Sequence, residues 1–121
     1  MSFEAVSKLH PDYLEIKVSI DYSPELLPKF FNHARSEVAR AGADRVLIDA
    51  LDFRGPVSET DRFLTGQVVA ELFGPRIKVA LVVPGKQITK LGEISAANRG
   101  RRFFVSPTPD EALRWLLDPA T

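Results

Sequence analysis

Apolar and polar residues alternate along two neighbouring stretches near the start of the chain, residues 3–9 and 13–20. In the second, Leu14, Ile16, Val18 and Ile20 fall on one side, with Glu15, Lys17 and Ser19 on the other. That two-residue period is the mark of a half-buried strand. His10-Pro11-Asp12 between the stretches is turn chemistry, so the pattern predicts a β-hairpin. The period then changes. Ser23-Pro24-Glu25 combines a capping hydroxyl, a proline for the first helical position and an acid for the first turn. Leu27, Phe30 or Phe31, Ala34, Val38 and Ala41 follow at helical spacing, and Gly42 supplies a left-handed terminal residue. Pro28 falls early enough to distort this helix without breaking it.

A central strand is expected over residues 45–51, ending in a polar loop that contains Asp52 and turns at Arg54-Gly55-Pro56. Ser58, with Asp61 three residues on, imitates a capping box and opens a second helix. Phe63, Leu64, Val68, Val69, Leu72 and Phe73 form the expected apolar face of that helix, and Gly74-Pro75 stops it. Residues 77–83 are almost wholly apolar after Lys78, as a parallel strand covered on both faces would be. Pro84-Gly85 leads to a third helix over residues 87–98, and residues 102–105 make a short strand. Thr108-Pro109-Asp110-Glu111 caps a last helix carrying Ala112, Leu113, Leu116 and Leu117. The order β-β-α-β-α-β-α-β-α predicts an α/β fold with a mixed, mostly parallel sheet and helices packed on it. Without a repeat, linker or low-complexity run, residues 1–121 read as one domain.

Composition narrows the function classes. Lys plus Arg and Asp plus Glu number 16 each, so net charge gives no push toward nucleic acid or an anionic membrane. The absence of cysteine removes disulfides, thiolate chemistry and cysteine metal sites. Residues 1–6 lack the basic and apolar regions of a signal peptide. The longest apolar run, residues 79–83, is far short of a membrane span. A soluble, cytoplasmic protein is the expectation.

Three stretches carry a family resemblance. One is Leu47-Ile48-Asp49-Ala50-Leu51-Asp52-Phe53-Arg54-Gly55 with Asp61-Arg62-Phe63 in the helix after it; another is Lys78-Val79-Ala80-Leu81-Val82-Val83. The most specific is Asn98-Arg99-Gly100, then Phe103-Phe104-Val105, then Asp110-Glu111-Ala112-Leu113-Arg114-Trp115-Leu116. With the hairpin, the chain resembles SpoIIAA-like proteins of the STAS/Sec14-like group over nearly its whole length. The resemblance implies four to five strands and about four helices. It also implies a regulatory or protein-interaction role like that of anti-sigma-factor antagonists, or, alternatively, a Sec14-like carrier of a lipid or nucleotide. Antagonists of the wider group place Asp-Ser-Ser-Gly or Asp-Ser-Thr-Gly after the central strand. Here the turn reads Arg54-Gly55-Pro56-Val57, and Ser58 comes immediately after it.

Each candidate residue has a structural reading beside its functional one. Ser58 is a helix cap, or a regulatory phosphosite on the positive end of the helix. Asp49 and Asp52 resemble paired carboxylates for acid–base work, yet positions three apart on a regular strand face opposite ways. They would converge only if the chain turned after Leu51; otherwise they are strand-end acids or partners for Arg45 or Arg54. Asp49, Asp52, Arg54, Gly55 and Asp61 together form a candidate partner- or ligand-binding loop. Arg99, Arg101 and Arg102, with Lys86 and Lys90, are a candidate anion site or simply cations at a helix C-terminus. His10 and His33 stand without neighbouring ligands at metal-binding spacing. Phe103, Phe104, Trp115, Leu116 and Leu117 are core candidates, with Arg114 beside them facing solvent. No catalytic fingerprint is present. The expected protein is a non-enzymatic module with a protein partner, without cofactor, metal or nucleic acid, in which a homodimer or a small apolar or nucleotide ligand is also open.

Overall fold

The hairpin forms as the alternation requires. Strand β1 is Phe3–Leu9 and β2 is Leu14–Asp21, paired antiparallel without interruption from Phe3↔Ile20 to Leu9↔Leu14. The structure is a computed structural model and describes residues 3–85 and 102–119. Helix α1 (Leu26–Ala41) follows, then β3 (Arg45–Arg54), α2 (Glu59–Phe73), β4 (Lys78–Val82), β5 (Arg102–Ser106) and α3 (Pro109–Leu117). The helix expected over 87–98 lies outside the described residues, as do Arg99, Arg101, Lys86 and Lys90.

Among the described residues five strands stand in chain order, β1-β2-β3-β4-β5, and their pairs after the hairpin are parallel. Side chains alternate across this sheet, so its two faces build separate cores. On one face Ile16, Val18, Val46, Ile48, Val79 and Phe103 meet α1 and α2 through residues such as Phe30, Phe31, Ala34, Val69 and Phe73. On the other, Leu47, Ala80 and Val82 meet Ala112 and Leu116 of α3. This second cover reaches β3, β4 and β5. Strands β3 and β4 are therefore apolar on both faces, whereas β2 keeps its polar alternation.

Helix α1 begins later than the capping pattern predicts. Ser23 makes no side-chain cap; Leu26 N–H donates to Ser23 O at 3.0 Å and Leu27 N–H to Pro24 O at 3.3 Å, and the regular helix starts at Leu26. Pro28 explains the shift. It has no N–H to give Pro24, and its ring would crowd that carbonyl, so the chain closes the tighter turn first. The end is as expected: Gly42 sits at φ 65° and its N–H donates to Ala39 O.

Lys78, at the mouth of β4, is 1% exposed. Its Nζ donates to Trp115 O at 2.8 Å and Asp118 O at 3.0 Å, and lies 4.5 Å from the Trp115 ring centroid. A cation is thus aimed at the negative end of α3, which is the stabilising polarity. Burial, followed by the charges of Arg102 and Arg45, holds its ammonium below the ordinary lysine pKa. Trp115 stacks on Phe104 at 5.1 Å, both half-buried; Phe103 and Leu116 are buried, and Arg114 is exposed.

Leu116 is fully buried between α3 and the sheet, and Leu113, one turn earlier, is half-buried. Leu116→Ala is expected to lower the unfolding free energy by about 2–5 kcal/mol, and Leu113→Ala by clearly less. Denaturant unfolding of the two variants checks this, and equal losses would contradict the placement of α3.

Candidate functional site

The passage from β3 to α2 differs from the polar loop expected there. Strand β3 continues past Leu51 to Arg54, because β2 stays paired with it through Ser19↔Asp52, Ile20↔Phe53 and Asp21↔Arg54. Asp52 and Arg54 are strand residues. The register jumps between Lys17↔Asp49 and Ser19↔Asp52, so Ala50 and Leu51 together oppose the single residue Val18. This β-bulge adds one residue to β3 and swings Asp52 onto the same face as Asp49. No turn is needed to bring the two acids to one side. Leu51 N–H donates to Asp49 Oδ1 at 3.2 Å within the bulge.

Beyond the bulge, Arg54 organises the exposed face. Its Nε donates to Asp21 Oδ1 at 2.6 Å, Nη1 to Asp52 Oδ1, and Nη2 to Ser19 Oγ at 3.4 Å. Ser19 Oγ donates to Asp52 Oδ2 at 2.6 Å. The Arg54 guanidinium, by hydrogen bond first and charge second, holds the Asp21 carboxyl below the usual range. Asp52 is thus a partner of Arg54, one of the alternatives the sequence leaves open. Gly55 at φ 112° then turns the chain across Tyr22; a Cβ there would stand 3.4 Å from Tyr22 Cβ. Only glycine adopts this backbone readily.

Ser58 caps α2. Its Oγ accepts from Asp61 N–H at 3.0 Å, and the side chain is exposed. The Asp61 carboxylate has another partner: Tyr22 O–H donates to its Oδ2 at 2.9 Å. This bond ties the end of β2 to the start of α2 across 39 residues of sequence. Burial, then the bond to Asp61, pushes the Tyr22 phenol well above its ordinary value of 10.0.

Of the apolar face expected for α2, Val69 and Phe73 are buried and Val68 and Leu72 pack against the core, but Phe63 and Leu64 do not. Gly66, Val69, Ala70 and Phe73 are buried, while Phe63 and Leu64 stand 40% and 42% exposed. Apolar residues surround this helix, so periodicity alone could not choose the inner side. Gly66 and Ala70, one turn apart and both buried, take the inner side; Phe63 and Leu64 are left exposed. Under the helices, between α1, α2 and the sheet, lies an apolar cavity of about 100 Å³ reached by Tyr22, Phe53, Val57, Arg62 and Thr65.

Arg102 is exposed on β5, its Nη2 donating to Arg76 O at 3.4 Å; the rest of the candidate anion cluster lies outside the described residues. His10 Nε2 lies 2.8 Å from Glu15 Oε1 and its ring stacks on Tyr13, whereas His33 packs against Phe3. Among the described residues no three of His, Asp or Glu converge as a metal site.

Among the described residues, the elements β-β-α-β-α-β before residue 86 and β-α after residue 101, on a sequentially ordered mixed sheet, make a SpoIIAA/STAS-like fold. The chain is similar to the crystal structure of an anti-sigma factor antagonist from Mycobacterium paratuberculosis, with a TM-score of 0.64 and 16% identity. That likeness covers 97% of this chain and 96% of the other. It is also similar to an uncharacterised protein with a SpoIIAA-like fold from Shewanella loihica PV-4, at a TM-score of 0.50 and 20% identity, over 94% and 93% of the two chains. No family model matches the sequence, and no curated protein does. No described helix is long and apolar enough to cross a membrane.

Two measurements examine this site. Ser58→Ala removes the acceptor for Asp61 N–H and is expected to cost about 1 kcal/mol of stability, read by denaturant unfolding. For Tyr22, the folded chain holds a proton that the unfolded chain releases near pH 10. Its contribution is therefore intact below pH 10 and declines as pH rises beyond it. The stability of the wild type should fall with pH above 10 more steeply than that of Tyr22→Phe, by up to about 1.4 kcal/mol per pH unit. Parallel slopes would show that the phenol titrates alike in both states.

Proposed function

We propose that the chain is a single SpoIIAA-like module that acts without catalysis, as a regulator that binds a protein partner through the β3–α2 turn and the outer face of α2. The observation that carries this reading is the pair Phe63 and Leu64, 40% and 42% exposed one turn beyond the capped helix start. Two large adjacent apolar side chains on an outward helix face are the kind of anchor that protein interfaces use. A polar pair stands on the same helix, Glu59 and Arg62 being ion-paired at 3.0 Å. The fold likeness to an anti-sigma factor antagonist supports the same class of role.

Ser58 is the regulatory position in this reading. It is exposed and terminal to α2, and phosphorylation would displace its cap bond to Asp61. Roughly two negative charges would then stand beside Glu59 and Asp61, changing the surface a partner meets while the sheet beneath is untouched. The other basic residue at the turn, Arg54, is already engaged by Asp21 and Asp52. The alternative of a Sec14-like carrier draws no support from the structural likenesses. An apolar space of about 100 Å³ is also well under the roughly 300–1,000 Å³ of common ligand sites.

The test compares quantitative affinity capture from native lysate by the wild type, a Phe63→Glu/Leu64→Glu double variant and Ser58→Glu, with thermal melts confirming that all three fold. A specific partner should bind the wild type and lose at least about tenfold in affinity for the double variant, with Ser58→Glu shifting it as well. Equal capture by wild type and double variant, or no partner for either, refutes the proposal.

A further inference from the structure

Strand β1 is an edge of the sheet; it has neither proline nor bulge to guard it, and its charges, Glu4 and Lys8, are of opposite sign. Its seven residues, Phe3-Glu4-Ala5-Val6-Ser7-Lys8-Leu9, contain no proline, and their register against β2 runs without a bulge. Among the described residues its Val6 and Leu9, at 71% and 61%, are the most exposed large apolar side chains. We propose that a second copy of this chain pairs with β1, antiparallel about a twofold axis at Val6, to make one continuous ten-stranded sheet. This surface is separate from the α2 face assigned to a partner above.

The charge pattern selects both the occupant and the register. Read outward from Val6, the strand is self-complementary: Glu4 stands two residues before it and Lys8 two residues after. In the antiparallel pair each Glu4 faces Lys8 of the second copy, twice over, and Val6 faces Val6 of the second copy between them. Opposite charges directly across an antiparallel pair stabilise it, and like charges destabilise it. An axis at Glu4 would oppose two carboxylates, and one at Lys8 two ammonium groups, so those slips are disfavoured. On the α1 face, Phe3 would meet Leu9 of the second copy. Phe3 already lies edge-on to Phe30 at 5.3 Å, so an apolar wall is in place to receive that leucine. An isologous pairing of this kind closes on itself and stops at two copies. Seven residues of strand make a small interface, so a weak, concentration-dependent dimer is expected.

Sedimentation velocity over a concentration series, with melting curves as a fold control, tests this through charge exchange. Glu4→Lys alone, or Lys8→Glu alone, converts both cross-pairs to like charges and should raise the dimer dissociation constant at least about tenfold. Mixed together, the two variants regain opposite charges at every contact, because one chain is then lysine and the other glutamate at both positions. They should form a one-to-one heterodimer, seen by native mass spectrometry with one variant isotopically labelled. A wild type that stays monomeric at millimolar concentration, single variants that dimerise as tightly as the wild type, or a mixture that fails to pair would each overturn the proposal.

Discussion

Residues 46–49 of β3 are paired with a parallel strand on either side, and Val46, Leu47 and Ile48 are buried between the covers of both faces. Buried backbone groups must be hydrogen-bonded, and only β2 and β4 can supply their partners. The rest of the molecule is placed by that constraint. Pairing with β4 ends at Asp49↔Val82, whereas pairing with β2 continues to Asp21↔Arg54. Past Asp49 the strand is therefore held on one side only, and there the bulge occurs. The divergence of β3 from β4 opens room at the carboxyl ends of the strands, where parallel sheets generally present their binding surfaces. Phe53, Val57 and Val83 line the apolar space left below it, and Arg54 closes the polar side above.

How far this was legible depends on the range of each interaction. The hairpin, the left-handed Gly42, and the caps at Ser58 and Thr108 follow from residues within four positions of one another, and the structure has them where the sequence places them. Helix α1 starts later than its local signal predicts: Pro28 outweighs the Ser23 pattern, since a missing N–H and a ring clash cost more than a cap contributes. The bulge left a fainter trace. Val46, Ile48 and Ala50 keep a two-residue period and Phe53 then arrives after three, so the core side of β3 slips by one at Leu51. Such a slip reads equally well as the end of a strand, which is how the expected loop arose. The Tyr22–Asp61 bond spans 39 residues and carries no local signal. On α2 the apolar residues lie all round the axis, so the choice of buried side rests on contacts with α1 and the sheet.

Among the titratable groups shifted by their surroundings are Tyr22, upward, and Lys78, downward, and such groups mark either function or architecture. Their partners decide between the two. Lys78 Nζ is bonded to carbonyls at the end of α3 and lies against the Trp115 ring. Tyr22 O–H is given to Asp61, whose own N–H is held by Ser58. In each case the shifted group joins two elements that are remote in sequence: β4 to α3, and β2 to α2. Catalytic use would require a second group with an opposed shift facing the same cleft. The acid nearest Tyr22 is its hydrogen-bond acceptor, and the carboxylates of Asp21 and Asp52 are occupied by Arg54 on the exposed side of the sheet. These displaced groups serve as joints of the scaffold, and what the joints present outward is the capped turn with Phe63 and Leu64 beyond it. In the proposed reading, a turn tied to β2 through the Tyr22–Asp61 bond would need little reordering on contact with a partner, which keeps the entropic cost small.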